Sequence, residues 1–387
     1  MKVLFYTGTY THPFYKEQFK FFSKNVELMP SSPDLLATGQ MRKDYSIGKF
    51  RSWLIAKIKG LGLKVYEFLK IPKHVFIKDT KNAGFVYSAQ YLLKNDIPYV
   101  SDFEHAAAYS WYKQKLFNSK GFGRKFRSIC FRENLKFLLP WTEAAKQSLL
   151  RNVDCSDFVD KIKVVYPAIE PKSTKKIKHD GINILFVGGA FYLKGGLDSI
   201  LAFEKVKQEL SDKKINFTVV SNNAPKEIVD KYGSVVQFKS KISQSELDEE
   251  YRKTDIFILP THMDTFGFVL LEAMSYGIPC ISIDNFAVPE IIADGKTGLV
   301  VPNSNSLFDS NYAYKFDCLK ESELREFTEI CSNPKEEDVT LLADALKKLV
   351  VNSALRGRMS KNCLSEIKHG KFSRERRIKE LDQIIFS

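Results

Sequence analysis

Two carboxylates eight residues apart, Asp264 and Glu272, flank the stretch of this 387-residue chain best suited to chemistry. Residues 255–260 (DIFILP) read as a buried strand and 261–266 as a loop. Gly267 opens a helix reaching about residue 276, Gly277 is a natural residue just past its end, and 279–284 read as the next strand. Unpaired N–H groups at such a helix start favour a phosphate. Gly267 lets the backbone approach it closely. A carboxylate accepts two hydrogen bonds from a vicinal diol, so Asp264 and Glu272 could each hold one sugar ring, with phosphates between them. The spacing equally fits a plainer arrangement, in which Asp264 caps the helix and Glu272 faces solvent. His105 closes another short strand (97–105), where a histidine serves either chemistry or local hydrogen bonding.

These residues need a frame. Short β-branched or aromatic runs recur at 2–7, 74–78, 98–102, 136–140, 161–166, 182–188, 216–221, 255–260 and 279–284, with helical stretches between many of them. Such alternation predicts an α/β fold with parallel sheets covered on both faces. Residues 168–181 (AIEPKSTKKIKHDG) are polar and aperiodic and read as a linker. The expected organisation is therefore two doubly wound Rossmann-like domains facing across a cleft, where ligands bind. The first covers 1–168. The second covers 169–370, with an acidic insertion near 303–338 that shows no clean strand. No C-x-x-C pair occurs among six scattered cysteines, which reads as reduced, mostly buried thiols.

Charge is divided unevenly. Residues 1–170 hold 28 basic and 15 acidic side chains, whereas 171–387 hold 31 of each. The excess lies mostly in 48–70 and 111–137, where lysines and arginines alternate with bulky apolar residues. That pattern suits an anionic membrane surface. It also suits a helix with one face on a core and the other in solvent. Nucleic acid is the weakest partner, since no zinc-finger, RNP or helix-turn-helix pattern is present. No apolar run reaches the roughly 18–20 residues needed to span a bilayer. The expected location is cytoplasmic, peripheral on the membrane face.

The segment from 264 onward resembles the signature of the retaining GT-B glycosyltransferases of family 4, the glycosyl transferases group 1 family. The pattern E-x-F-G-x-x-x-x-E appears as Asp264, Phe266, Gly267 and Glu272. It continues through Ala273, Gly277 and Pro279, then Pro289-Glu290-Ile291-Ile292, Gly295 and Gly298-Leu299-Val300. Residues 184–203 resemble the family's F-V-G-R-x-x-x-x-K-G strand-loop-helix, 138–150 and 97–105 resemble segments of its first domain, and the end of the chain from Phe372 resembles its "F-S-W" segment.

The resemblance implies a hexosyltransferase that uses a GDP- or UDP-sugar and needs no metal or other cofactor. Catalytic roles would fall to His105, Asp264 and Lys194. Glu272 would bind the ribose, and Asp264 the donor sugar. Gly188, Gly189 and the amides of Phe266, Gly267, Phe268 and Val269 would line the sugar and diphosphate, and Lys194 would neutralise the latter. The acceptor, a glycan or lipid-linked hydroxyl, would bind first-domain loops. The terminal helix (371–387) would pack back on the first domain. Two departures stand out: Asp264 replaces Glu, and Gly189 replaces the family's phosphate-binding Arg. A sugar-nucleotide 2-epimerase of the same fold, or a nucleotide-sugar-binding protein with impaired catalysis, are the alternatives.

Overall fold

Runs dense in β-branched and aromatic residues need burial on both faces, and parallel sheets provide it. The computed structural model describes residues 1–8, 13–36, 64–172 and 175–387 and builds two such sheets. Each lies in its own compact unit. One comprises residues 1–167, 311–313 and 377–387, the other residues 168–310 and 314–376.

The first unit contains β1 (Lys2–Tyr6), β2 (Glu27–Pro30), β3 (His74–Val75), β4 (Phe85–Ala89), β5 (Leu92–Leu93), β6 (Tyr99–Phe103) and β7 (Leu135–Pro140). Its main sheet is parallel throughout, in the order β2-β1-β4-β6-β7, and β3 pairs with β5 beside it. The order reverses between β1 and β4. Loops leaving the carboxyl ends of strands at such a reversal diverge and open a crevice. The core is aromatic: Phe5 stacks on Tyr87 with ring centres 4.8 Å apart. The terminal helix Arg374–Ile385 brings the fully buried Arg377 to this core, where Nη1 donates to the Tyr166 carbonyl (3.0 Å) and Nη2 lies 3.1 Å from the Tyr87 hydroxyl.

Two expectations need correction here. Residues 161–166 do not form a sheet strand. They run beside β7, with Lys163 N–H donating to Leu138 O and Val165 N–H to Pro140 O, but only one bridge forms and no ladder continues. Of the aromatics in 111–137, Phe117, Phe122 and Phe126 are buried in the core and face no bilayer, whereas Trp111 and Tyr112 are half-buried and Phe131 is exposed. Lys115, Lys120, Arg124, Lys125 and Arg132 stay exposed, as the two-faced character of the helix Lys120–Cys130 requires. Of the other basic segment, 48–63 lies outside the described residues, while Val65, Phe68 and Leu69 are exposed. No helix among the described residues is long and apolar enough to cross a membrane.

The second unit holds β8 (Ile182–Val187), β9 (Ile215–Val220), β10 (Gln237–Lys239), β11 (Ile256–Ile258), β12 (Cys280–Ile283) and β13 (Gly298–Val301). All pairs are parallel, in the order β10-β9-β8-β11-β12-β13. The reversal lies between β8 and β11. The helix Gly196–Glu209 buries Leu197, Ile200, Phe203 and Val206, spaced three apart along one face. Within 303–338, the helix Glu321–Cys331 buries Phe327 and Cys331. Glu250 is buried between Lys239 (3.0 Å) and Lys253 (3.3 Å).

Candidate active site

The reversal point of the second sheet is where the loops after β8 and β11 meet, and glycine enforces their contact. Gly195 has φ +74°, and a Cβ there would lie 2.2 Å from the Pro260 carbonyl oxygen. The amides of His262 and Met263 both donate to Leu193 O, at 3.0 and 3.1 Å. Lys194 crosses this junction. Its Nζ donates to Asp264 Oδ2 at 2.6 Å and to Met263 O at 2.8 Å. An ammonium has three donors, so one remains for a ligand.

Asp264 does more than either arrangement open from its spacing. Its Oδ1 accepts from the amides of Gly267 (3.0 Å) and Phe266 (3.3 Å), while Oδ2 holds Lys194. It thus caps the approach to the helix and fixes the lysine. The amides of Phe266 and Gly267, expected to face sugar and diphosphate, are taken by this cap. Phe268 and Val269 supply the first two amides of the helix Phe268–Ser275, positions with no intrahelical acceptor. Gly267 sits at φ +88°, a conformation costly for any residue with a Cβ. The rings of Phe266 and Phe268 pack with centres 4.5 Å apart.

Glu272 lies one turn beyond Phe268 on the same helix face. It is half-buried, and Oε2 accepts from the Tyr251 hydroxyl at 3.2 Å. Tyr251 stacks on Tyr276, with centres 5.0 Å apart and planes 15° from parallel, and the Tyr276 hydroxyl donates to Asp248 at 2.7 Å. Burial first, and the Glu272 carboxylate second, hold the Tyr251 phenol well above its ordinary pKa, so it remains a donor. Sequence reasoning missed this tyrosine pair, which lies on a separate helix and at the end of the site helix. It also missed a pair beneath the loop: His262 Nε2 stands 3.0 Å from Asp198 Oδ1, both buried.

The two glycines after β8 differ. A Cβ on Gly188 would meet the Phe186 ring at 2.8 Å and Lys194 Cβ at 2.9 Å, whereas one on Gly189 would find no atom within 4 Å. An arginine therefore has room at 189. His105 belongs to the first unit and is buried. Its Nδ1 accepts from the Ala107 amide (3.0 Å), which leaves Nε2 to donate to Tyr312 O (2.7 Å). Both nitrogens are engaged in capping, so the catalytic role expected of it would require Tyr312 to withdraw. No cluster of three or more His, Cys, Asp or Glu side chains among the described residues is placed to hold a metal ion.

Residues 169–308 match the family model "Glycosyl transferases group 1". An uncharacterized 41.2 kDa protein in the cps region of Klebsiella pneumoniae is 29% identical over 160 residues, covering 38% of this chain and 44% of that protein. D-inositol 3-phosphate glycosyltransferase of Paenarthrobacter aurescens is 27% identical over 150 residues, covering 36% of this chain and 37% of that one. The chain thus spans less than half the length of these curated relatives. Anabaena Alr3699/HepE, solved in complex with UDP and glucose, superposes with a TM-score of 0.57 at 11% identity, covering 100% of this chain and 99% of that one. Lys194, Asp264 and Glu272 all lie within residues 169–308, the stretch similar to the glycosyl transferases group 1 model, in a chain with the GT-B fold.

Proposed function

We propose that the protein moves a hexose from a nucleoside-diphosphate sugar to an acceptor hydroxyl with retention of anomeric configuration. The observation that carries this is the Lys194–Asp264 pair at the reversal of the second sheet, one short loop from a helix start and from Glu272. When the C1–O bond of the donor breaks, negative charge collects on the departing β-phosphate and positive charge on the ring. Lys194 and the first amides of the helix Phe268–Ser275 are fixed electropositive groups for the phosphate. Glu272, held by Tyr251, is an acceptor for the ribose hydroxyls, and Asp264 faces the donor sugar. The acceptor oxygen bonds to C1 on the face the phosphate leaves, and its proton departs with a phosphate oxygen.

Two names among the relatives support the substrate class: one solved relative carries UDP and glucose, and one curated relative is a glycosyltransferase of D-inositol 3-phosphate. Neutralisation is assigned to Lys194 and the helix amides, not to a divalent cation, so turnover should survive excess EDTA. The test is incubation of the purified chain with UDP- and GDP-hexoses and a panel of acceptors. Release of nucleoside diphosphate that depends on acceptor supports transfer. A changed donor sugar without any acceptor would point to epimerisation, and neither release nor a changed sugar with any donor would sink both.

A further inference from the structure

The first sheet has a reversal point of its own, and a lysine that pairs with no carboxylate among the described residues sits there. Lys73 immediately precedes β3, and its Nζ lies 3.9 Å from the centre of the Tyr91 ring. Tyr91 follows β4 and stands edge-on to Tyr6, the last residue of β1, with ring centres 5.5 Å apart. Its hydroxyl fills the space that a Cβ on Gly8 would need, 2.6 Å away. Lys73 and Tyr91 thus lie where the loops from β1 and β4 part, the position at which doubly wound sheets bind ligands. Among the described residues, no hydrogen-bond acceptor or carboxylate pairs with Lys73 Nζ.

The acids nearest in charge to this amine, Asp102 and Glu104, are committed elsewhere. Asp102 Oδ1 accepts from the Tyr15 hydroxyl (2.9 Å) and the Gln90 amide (3.2 Å). Its Oδ2 accepts from the Tyr87 hydroxyl (2.9 Å) and the Trp141 indole (3.0 Å). Glu104 takes the hydroxyl of Tyr112, which also stands 3.0 Å from Gln90 Oε1. The backbone here is held in a form that side chains disfavour: Gln90, Trp111 and Tyr112 have φ of 60°, 53° and 61°. Such conformations gather at ligand sites. Burial pulls the Lys73 amine down to about 8, against the pull of Glu104 and Asp102, so it is still mostly an ammonium at neutral pH. A partly desolvated ammonium whose neighbouring carboxylates are held by other donors is stabilised by a ligand that brings an anion to it.

We propose that Lys73, set on the Tyr91 ring at the reversal of the first sheet, is the anchor of an acceptor subsite for a sugar bearing an anionic oxygen group, a phosphate ester or a carboxylate. This assignment rests on the glycosyltransferase reading above. It adds the charge of the acceptor and the residue that recognises it.

The test is calorimetric titration of glucose 6-phosphate, glucuronate and glucose into the full chain and into the Lys73→Met and Lys194→Ala variants. UDP and GDP are titrated separately into each. Lys73→Met keeps the aliphatic stem over Tyr91 and removes only the charge. At least one charged sugar should bind the unaltered chain and Lys194→Ala alike, and bind Lys73→Met at least about tenfold more weakly. Glucose should not distinguish Lys73→Met from the unaltered chain, and Lys73→Arg should retain binding. The charged sugar that binds identifies the anion. In the unaltered chain its affinity should also fall as pH passes about 8. Tyr6 and Tyr91, the neighbouring phenols, are raised by burial and stay neutral there. That profile keeps the test decisive should Lys73→Met not fold. No binding of either charged sugar, binding indifferent to Lys73 and to pH, or binding lost only in Lys194→Ala would overturn the proposal. Failure of UDP and GDP alone would count against the donor site and leave this one standing.

Discussion

Each unit places a lysine at the reversal of a parallel sheet, and the two lysines are kept in opposite states. Lys194 is paired, with Asp264 Oδ2 at 2.6 Å and a carbonyl at 2.8 Å. Lys73 rests on an aromatic ring while the nearby acids serve other partners. A paired ammonium is a charge fixed in advance, which a ligand shares without reorganising the loop, and such fixed charges act on a transition state. An unpaired one gains most from a bound anion, in the ground state as well as later. On the proposed function, the first serves the step in which a bond breaks and the second the holding of a substrate.

The sharpest way to break this contrast is to remove both charges in turn. Lys194→Ala should lower kcat by about 10²–10³-fold, the loss typical of one oxyanion donor. Lys73→Met should raise the KM for acceptor and spare kcat at saturation. Equal losses of kcat in steady-state assays would erase the distinction. Next in size is a pH effect from the first unit. Burial lifts the Asp102 carboxyl to about 6, outweighing its bonds from Trp141, Tyr87 and Tyr15. Between its ordinary value and about 6, the folded chain therefore keeps a proton that the unfolded chain has released. Stability should fall as pH rises through that window, by up to about 3 kcal/mol, and level off above it. Asp102→Asn should remove this slope in denaturant titrations run at several pH values.

Glu272→Gln should weaken nucleoside diphosphate binding about 10–100-fold, the worth of one hydrogen bond to a charged group, while leaving charged-sugar binding intact. The smallest effect is a gain. Space beside Gly189 admits a longer side chain, so Gly189→Arg should raise turnover about tenfold if a second cation helps the phosphate leave. Unchanged turnover would mean that Lys194 and the helix amides already suffice.

Much of the second unit was legible because its signals are local. Gly267, the helix after it and Gly277 are set by neighbours in sequence, and the helix Phe268–Ser275 lies within the expected span. The spacing of Asp264 and Glu272 could not show that Asp264 would bind Lys194, 70 residues away, as well as cap the loop. Nor could it reveal Tyr251, whose place beside Glu272 depends on how another helix packs. In 111–137 the alternation of aromatic and basic residues was plain, but periodicity does not say whether the apolar face meets lipid or a core. Lys73 carries no signal at all. It becomes notable only when β1 and β4 come side by side and put Tyr91 beneath it.

The central claim is that the second unit's loops bind a nucleoside diphosphate through Lys194 and Glu272. Calorimetric titration of UDP and GDP into the unaltered chain and into Glu272→Ala tests it most directly. One of the two should bind the unaltered chain with single-site stoichiometry and bind Glu272→Ala at least tenfold more weakly. Equal affinity for both proteins, or no heat with either nucleotide, would contradict the account.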